Sequence, residues 1–196
     1  MKKWIPFSMF ISMSAFVFIA CNDTTKETPP TAKENFGGFE SQVKWGEHLV
    51  ILGGCDHCHS PKKMGPMGPE PDPAFGFSGH QSSASAPDVN RKEIQDKGLI
   101  VTNDLTAWVG PWGVSYAANL SPDSTGIGLW KEDQFITALR EGVTKGIKGS
   151  RPILPPMPWQ SIGKMSDDEL KAMFAFLKST IPIKNIVPQP EPPVAK

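Results

Sequence analysis

Five consecutive residues, Cys55-Asp56-His57-Cys58-His59, constrain this chain more than any other stretch. Two cysteines three apart share one face of a helical turn, and a histidine follows the second directly. Three donor side chains packed that closely demand a common purpose, and the fold has to be arranged around it. A metal clip, a dithiol switch and a haem anchor are the purposes to weigh.

The compartment narrows the choice. The opening, MKKWIPFSMFISMSAFVFIA, has a basic start and a long apolar run, which together read as a targeting segment. FIAC at its end resembles a bacterial lipobox. The resemblance implies that residues 1–20 are a signal peptide and that Cys21 becomes the lipidated first residue of an exported chain, held to a membrane in the periplasm or at the cell surface. An ordinary cleaved signal peptide and an uncleaved anchor helix are the competing readings, and the abrupt change to NDTTKETPPTAKEN favours cleavage before the cysteine. Residues 21–38 are too polar to bury a core and read as a flexible tether. Removing 1–20 takes away Lys2 and Lys3 and no acid, so the remainder is slightly acidic. No clustered Lys/Arg surface is visible, which excludes nucleic acid as partner. Export places the cysteines in an oxidising compartment, and with Cys21 spent only Cys55 and Cys58 remain.

With 196 residues, 39% of them hydrophobic, the chain fits one globular domain, 39–187, besides its leader, its tether and a proline-rich tail, 188–196. Twenty prolines and 18 glycines predict that much of the backbone is loop. A first helix is expected over 40–53, with Val43, Gly46, Leu49, Val50 and Gly53 along one face and Gly53-Gly54 ending it. A second is expected over 131–143, with Phe135, Ile136, Leu139 and Val143 on a face and Gly142 at its frayed end. The last, 166–179, opens on Ser166 and Glu169 in the capping-box relation, aligns Leu170, Met173, Phe174 and Leu177, and stops before Pro182. Residues 60–128 read mostly as turns. Within them NRKEIQDKG can be a short helix and LIVT a short strand.

The spacing C-x-x-C-H is the signature of c-type haem attachment. Both sulfurs of one turn can add to the two vinyl groups on one porphyrin edge, and His59 then faces the iron as proximal ligand. Its other ring nitrogen is expected to donate to a backbone carbonyl. A zinc site needs four protein ligands, and the sequence supplies only His48 and His80 as extras. A thioredoxin-like dithiol needs a βαβ setting that is missing here. A structural disulfide across so short a loop would stabilise little.

For the opposite face of a haem, Met64 and Met67 lie too near His59 in sequence, and Met173 belongs to the apolar face of the last helix. Met157, in LPPMPW, sits in a loop stiffened by Pro156 and Pro158 and is the expected distal ligand. Both AANLSPDSTGIGLWKEDQFITALREG and MSDDELKAMFAFLKSTIP, together with PPMPW, are similar to the cytochrome domains of subunits that accept electrons for periplasmic dehydrogenases. The chain thus resembles a single-haem c-type cytochrome. The resemblance implies a mainly α, class I cytochrome c fold wrapped around one covalent haem c, with a long irregular insertion, 60–115, between the CxxCH motif and the distal loop. It implies that Asn119, Pro122, Gly126 and Gly128 shape the wall beside the haem, with Trp159 close by. Proteins with these segments often carry two or three CxxCH motifs, whereas this chain has one.

These expectations converge on an electron carrier. With both axial positions filled, no coordination site is left for substrate, and a thioether ligand favours ferrous iron. Trp108, Trp112, Trp130, Trp159 and Phe174 are candidates to bury the ring, or are ordinary core. The expected partners are redox proteins, a dehydrogenase or respiratory complex on one side and a terminal acceptor on the other. If Met157 does not ligate, the alternative is a haem enzyme or a protein that binds a gas or peroxide. A non-haem metal or copper module using His57, His59 and the methionines is the third class. His80, inside the insertion, is expected to be a solvated loop histidine, and Arg140 an exposed helical arginine.

Overall fold

Three helices grow where apolar spacing and caps coincide. The computed structural model describes Met1 and residues 35–195, so the leader, Cys21 and most of the tether lie outside the described residues. Helix α1, Gln42–Leu52, begins at Ser41, whose side chain accepts the Lys44 N–H at 3.2 Å. Gly53 caps its end, and Gly54, at φ 61°, turns the chain into α2, Cys55–His59. Helix α4, Glu132–Glu141, follows Lys131, whose backbone N–H reaches the Gln134 side chain at 3.4 Å, and closes on left-handed Gly142. Helix α6, Asp167–Ser179, carries the full capping box: Ser166 N–H to Glu169 at 2.7 Å and Glu169 N–H to the Ser166 hydroxyl at 3.2 Å.

The unit Asn35–Lys196 has two apolar clusters. The larger joins Val50 of α1, Ile127, Phe135 and Leu139 of α4, and Leu170, Met173, Phe174 and Leu177 of α6. Helices α1 and α6 touch backbone to backbone. A Cβ added at Gly46 would run into the Ala172 carbonyl, so this crossing requires glycine. Val43, expected on the inner face, is exposed; it shares the side of the helix that carries Gly46 and Val50 but lies in the first turn.

The stretch after the motif, expected to be mostly turns, holds two antiparallel sheets. One is a hairpin, β1 Lys62–Gly65 with β2 Gly68–Pro71, whose Met64 and Met67 are exposed. The other is a meander of β3 Val101–Thr102, β4 Ala107–Gly110 and β5 Gly113–Tyr116, with Val109 opposite both Val101 and Val114. Helix α3, Arg91–Asp96, capped by Asn90, covers it with Ile94, and Ile94, Val109 and Val114 form the second cluster. Both the short helix and the short strand that the sequence allowed are therefore present, β3 being shorter than LIVT.

The proline-rich C-terminal segment lies against this sheet. Glu191 exchanges two backbone hydrogen bonds with Val114 of β5, and its carboxylate meets Arg91 at 2.6 Å. From Leu154 the chain runs through an irregular, proline-rich stretch into α5, Trp159–Ile162, and then into the turn before α6. Among the described residues no helix is long and apolar enough to cross a membrane.

Candidate functional site

Helix α2 brings the CDHCH side chains together. Cys55 and Cys58 are free thiols, both half-buried, and Cys55 packs against the larger cluster. Burial, with the Asp56 charge second, pushes the Cys55 thiol up to about 11, and burial likewise raises Cys58, so both are protonated at neutral pH. His57 is exposed.

His59 is buried, and its Nδ1 lies 2.8 Å from the Ala118 carbonyl. A carbonyl only accepts, so Nδ1 carries the proton and Nε2 keeps a free lone pair. Burial holds the imidazole below its ordinary value, in the neutral form that ligates metal. The surrounding backbone is tied to it: Gly79 N–H donates to the His59 carbonyl at 2.8 Å, and Phe77 N–H to the Ser60 hydroxyl at 2.9 Å.

Met157 is half-buried and also borders the larger cluster. It shares a shallow surface depression with Ile153, Pro155 and Trp159. Trp159 is half-buried against Gly142, where a Cβ would strike the indole. The Pro155 carbonyl accepts from the Ser115 hydroxyl at 2.6 Å, and that hydroxyl accepts from Trp112 Nε1 at 3.0 Å.

The loop that follows Ala118 contains Asn119, Pro122, Gly126 and Gly128. Asn119 is buried; its amide donates to the Ile183 carbonyl at 2.9 Å, and its oxygen accepts Ser121 N–H at 2.9 Å. A Cβ at Gly126 would meet the Ser121 carbonyl and Asn119, and one at Gly128 the Pro122 carbonyl, so the loop folds tightly on itself. Trp108 and Phe174 are buried, and Trp112 and Trp130 are half-buried.

Arg140 is an exposed helical arginine, as expected, and it binds Asp167 at 2.6 Å and the Gly163 carbonyl. His80 corrects the sequence expectation outright. It is 1% exposed, with Nδ1 at 2.8 Å from the Thr106 hydroxyl, Nε2 at 3.2 Å from the Ala84 carbonyl and its ring 4.9 Å from Tyr116. His48 is exposed beside Phe39, 4.8 Å between rings. Among the described residues no group of three or more His, Cys, Asp and Glu side chains is placed to hold a metal ion.

Ala118 and Ser115 were not legible as residues that hold the site. Ala118 acts through its backbone, which no side-chain pattern reveals. A polar Ser115 between Val114 and Tyr116 was the one available signal.

The arrangement offers two protonated thiols on one turn, a neutral imidazole with one open nitrogen, and a thioether bordering the same apolar cluster. That donor set fits a covalently attached haem.

No family model matches the chain. Over 138 residues, 70% of this chain and 23% of the relative, it is 30% identical to the gluconate 2-dehydrogenase cytochrome c subunit of Pantoea cypripedii. The cytochrome c subunit of the quinone alcohol dehydrogenase of Gluconobacter oxydans is 37% identical over 67 residues, 34% of this chain and 13% of that one. This chain is related to cytochrome c subunits of dehydrogenases. A nicotinate dehydrogenase subunit of Pseudomonas putida is also similar, 34% identical over 79 residues, 40% of this chain and 6% of that one. The chain spans less than a quarter of the length of these curated relatives.

Proposed function

We propose that this protein is an exported, lipid-anchored cytochrome of the class I fold that carries one covalent haem c and passes electrons from a dehydrogenase or quinol-oxidising complex to a terminal acceptor. Cys55 and Cys58 hold the haem by adding their S–H groups across its vinyl groups. His59 is the proximal ligand and Met157 the distal one. The observation that carries the reading is the His59 imidazole: buried, neutral and committed at Nδ1 to the Ala118 carbonyl, so that only Nε2 is open to iron.

The haem supplies a one-electron store, and the chain's residues tune it. A thioether from Met157 is a soft donor that raises the potential. The aromatic groups and the tight loop of Asn119, Pro122, Gly126 and Gly128 keep water from the ring, and Trp159 closes the wall beside Met157. The lipid on Cys21 keeps the domain near membrane partners and raises its effective concentration there. Its contacts with redox partners are small and transient.

A pyridine-haemochrome assay of the protein matured with a haem-attachment system is expected to show one covalent haem per chain, and its absence would sink the reading. The ferric wild type is expected to show the weak sulfur-to-iron charge-transfer band at the red end of the visible spectrum, and Met157→Ala to lose it. If the wild type lacks the band and its reduced form readily binds carbon monoxide, the distal position is open, and a haem enzyme or a gas- or peroxide-binding protein is the better description.

A further inference from the structure

We infer that Ser115 is a positioning residue for Met157, so that the β3–β4–β5 sheet, together with the helical cluster that Met157 borders, sets where the distal loop sits. The inference rests on the His59/Met157 ligation proposed above.

The distal loop has little means of holding itself. Pro155, Pro156 and Pro158 carry no N–H, so three of its residues cannot donate to any acceptor. Among the described residues, Ile153 N–H donates to the Gly142 carbonyl before the loop at 2.7 Å, and after it the Pro158 carbonyl accepts the amides of Ser161 and Ile162 at 3.0 and 3.2 Å. Between these ends the hydrogen bond that reaches the loop comes from Ser115, to the Pro155 carbonyl two residues before Met157.

Ser115 suits that task. It is 5% exposed, it sits in β5 opposite Trp108 of β4, and both roles of its hydroxyl are taken: it accepts from Trp112 Nε1 and donates to Pro155. The rotor is therefore fixed. Three residues further along the same segment, the Ala118 carbonyl fixes His59. One short run, 115–118, thus aims the elements that carry both candidate ligands, and a displacement of Pro155 is felt at Met157.

The test uses the full-length, haem-loaded protein. Imidazole binding to the ferric form reports how readily Met157 is displaced, and a pH titration of the charge-transfer band reports the same competition independently. Ser115→Ala is expected to bind imidazole about tenfold more tightly, the size expected for loss of one tethering hydrogen bond, and to lose the band at lower pH than wild type. Ser115→Thr, which keeps the hydroxyl, should restore wild-type behaviour. Trp112→Phe, which keeps an aromatic ring and removes the donor, should move both readouts the same way by less, and it carries the test if Ser115→Ala does not fold. Ser115→Ala and Trp112→Phe proteins with wild-type imidazole affinity and an unchanged band titration would overturn the inference while leaving the ligation intact. A wild type with no band at all overturns the ligation, and the inference with it.

Discussion

The two halves of this domain divide the labour of a ligand site differently. The helical cluster of α1, α4 and α6 borders Cys55 and Met157 and contains most of the fully buried apolar side chains. Around the β3–β5 sheet and the C-terminal segment the buried groups are more often polar: Ser78, His80, Thr106, Ser115, Asn119 and Asn185. Apolar packing is non-directional and scales with area, whereas hydrogen bonds fix angles and distances. The helices therefore supply most of the stability, and the sheet side supplies the aim of His59 and of the loop before Met157.

The largest expected effect tests the first half of that division. Leu170 is fully buried at the centre of the helical cluster. Leu170→Ala is expected to lower unfolding stability by about 2–5 kcal/mol through lost transfer energy and a residual cavity. Chemical denaturation of the haem-loaded protein measures it. Hydrogen exchange at the amides of Gly79 and His80, beside the His59 site, should keep its order relative to the helices. If those amides were the first to open in this variant, the division of labour would be wrong.

A smaller and more local effect is expected from Asn185→Ala. The side chain of Asn185 donates at 2.8 Å to both the Ser78 and His80 carbonyls and accepts Ser82 N–H at 3.1 Å. Its backbone N–H reaches Thr125 at 3.0 Å. Each buried group left unpaired costs about 1–3 kcal/mol, reduced wherever water enters. Stability should fall by less than in Leu170→Ala, while exchange at Gly79 and His80 rises disproportionately. Equal acceleration in helix α6 would mean that the polar network contributes only bulk stability.

The same contrast explains what could be read from the sequence. Helix α6 announces itself because its signals are local: a cap and its glutamate three apart, then Leu170, Met173, Phe174 and Leu177 at helical spacing. The CDHCH turn is likewise complete within five residues. Strands β4 and β5 are four residues each and buried along most of their length, so AWVG and GVSY show no alternation of apolar and polar groups. Their partners, and those of His80, are set by contacts remote in sequence. His80 is buried because its ring pairs with Thr106, 26 positions away, and the 78–82 segment is fastened by Asn185, more than 100 positions on. No local pattern encodes such pairs. After α6 the chain has no regular element to announce, yet a segment without regular structure can still carry one well-placed asparagine, Asn185.

The smallest effect concerns acid. Asp123 accepts from the Thr125 hydroxyl at 2.6 Å and the Thr125 N–H at 2.8 Å, and these bonds, the side-chain one foremost, hold its carboxyl below the ordinary value of 3.8. The same Thr125 oxygen accepts from Asn119 and from the Asn185 backbone, so the carboxylate completes the network that ends at Asn119. Because the folded-state value is depressed, the folded protein binds fewer protons than the unfolded chain just below pH 3.8. The stabilisation is present above that value and is lost as pH falls through the lower, folded one. Asp123→Asn should remove this increment: the gap between wild-type and variant denaturation midpoints, measured across pH on the haem-loaded protein, is expected to be constant above the ordinary carboxylate value and to close on acidification. A gap that widened in acid would mean that the carboxylate repels its surroundings, and that the 119–128 loop is held by Asn119 and Asn185 without it.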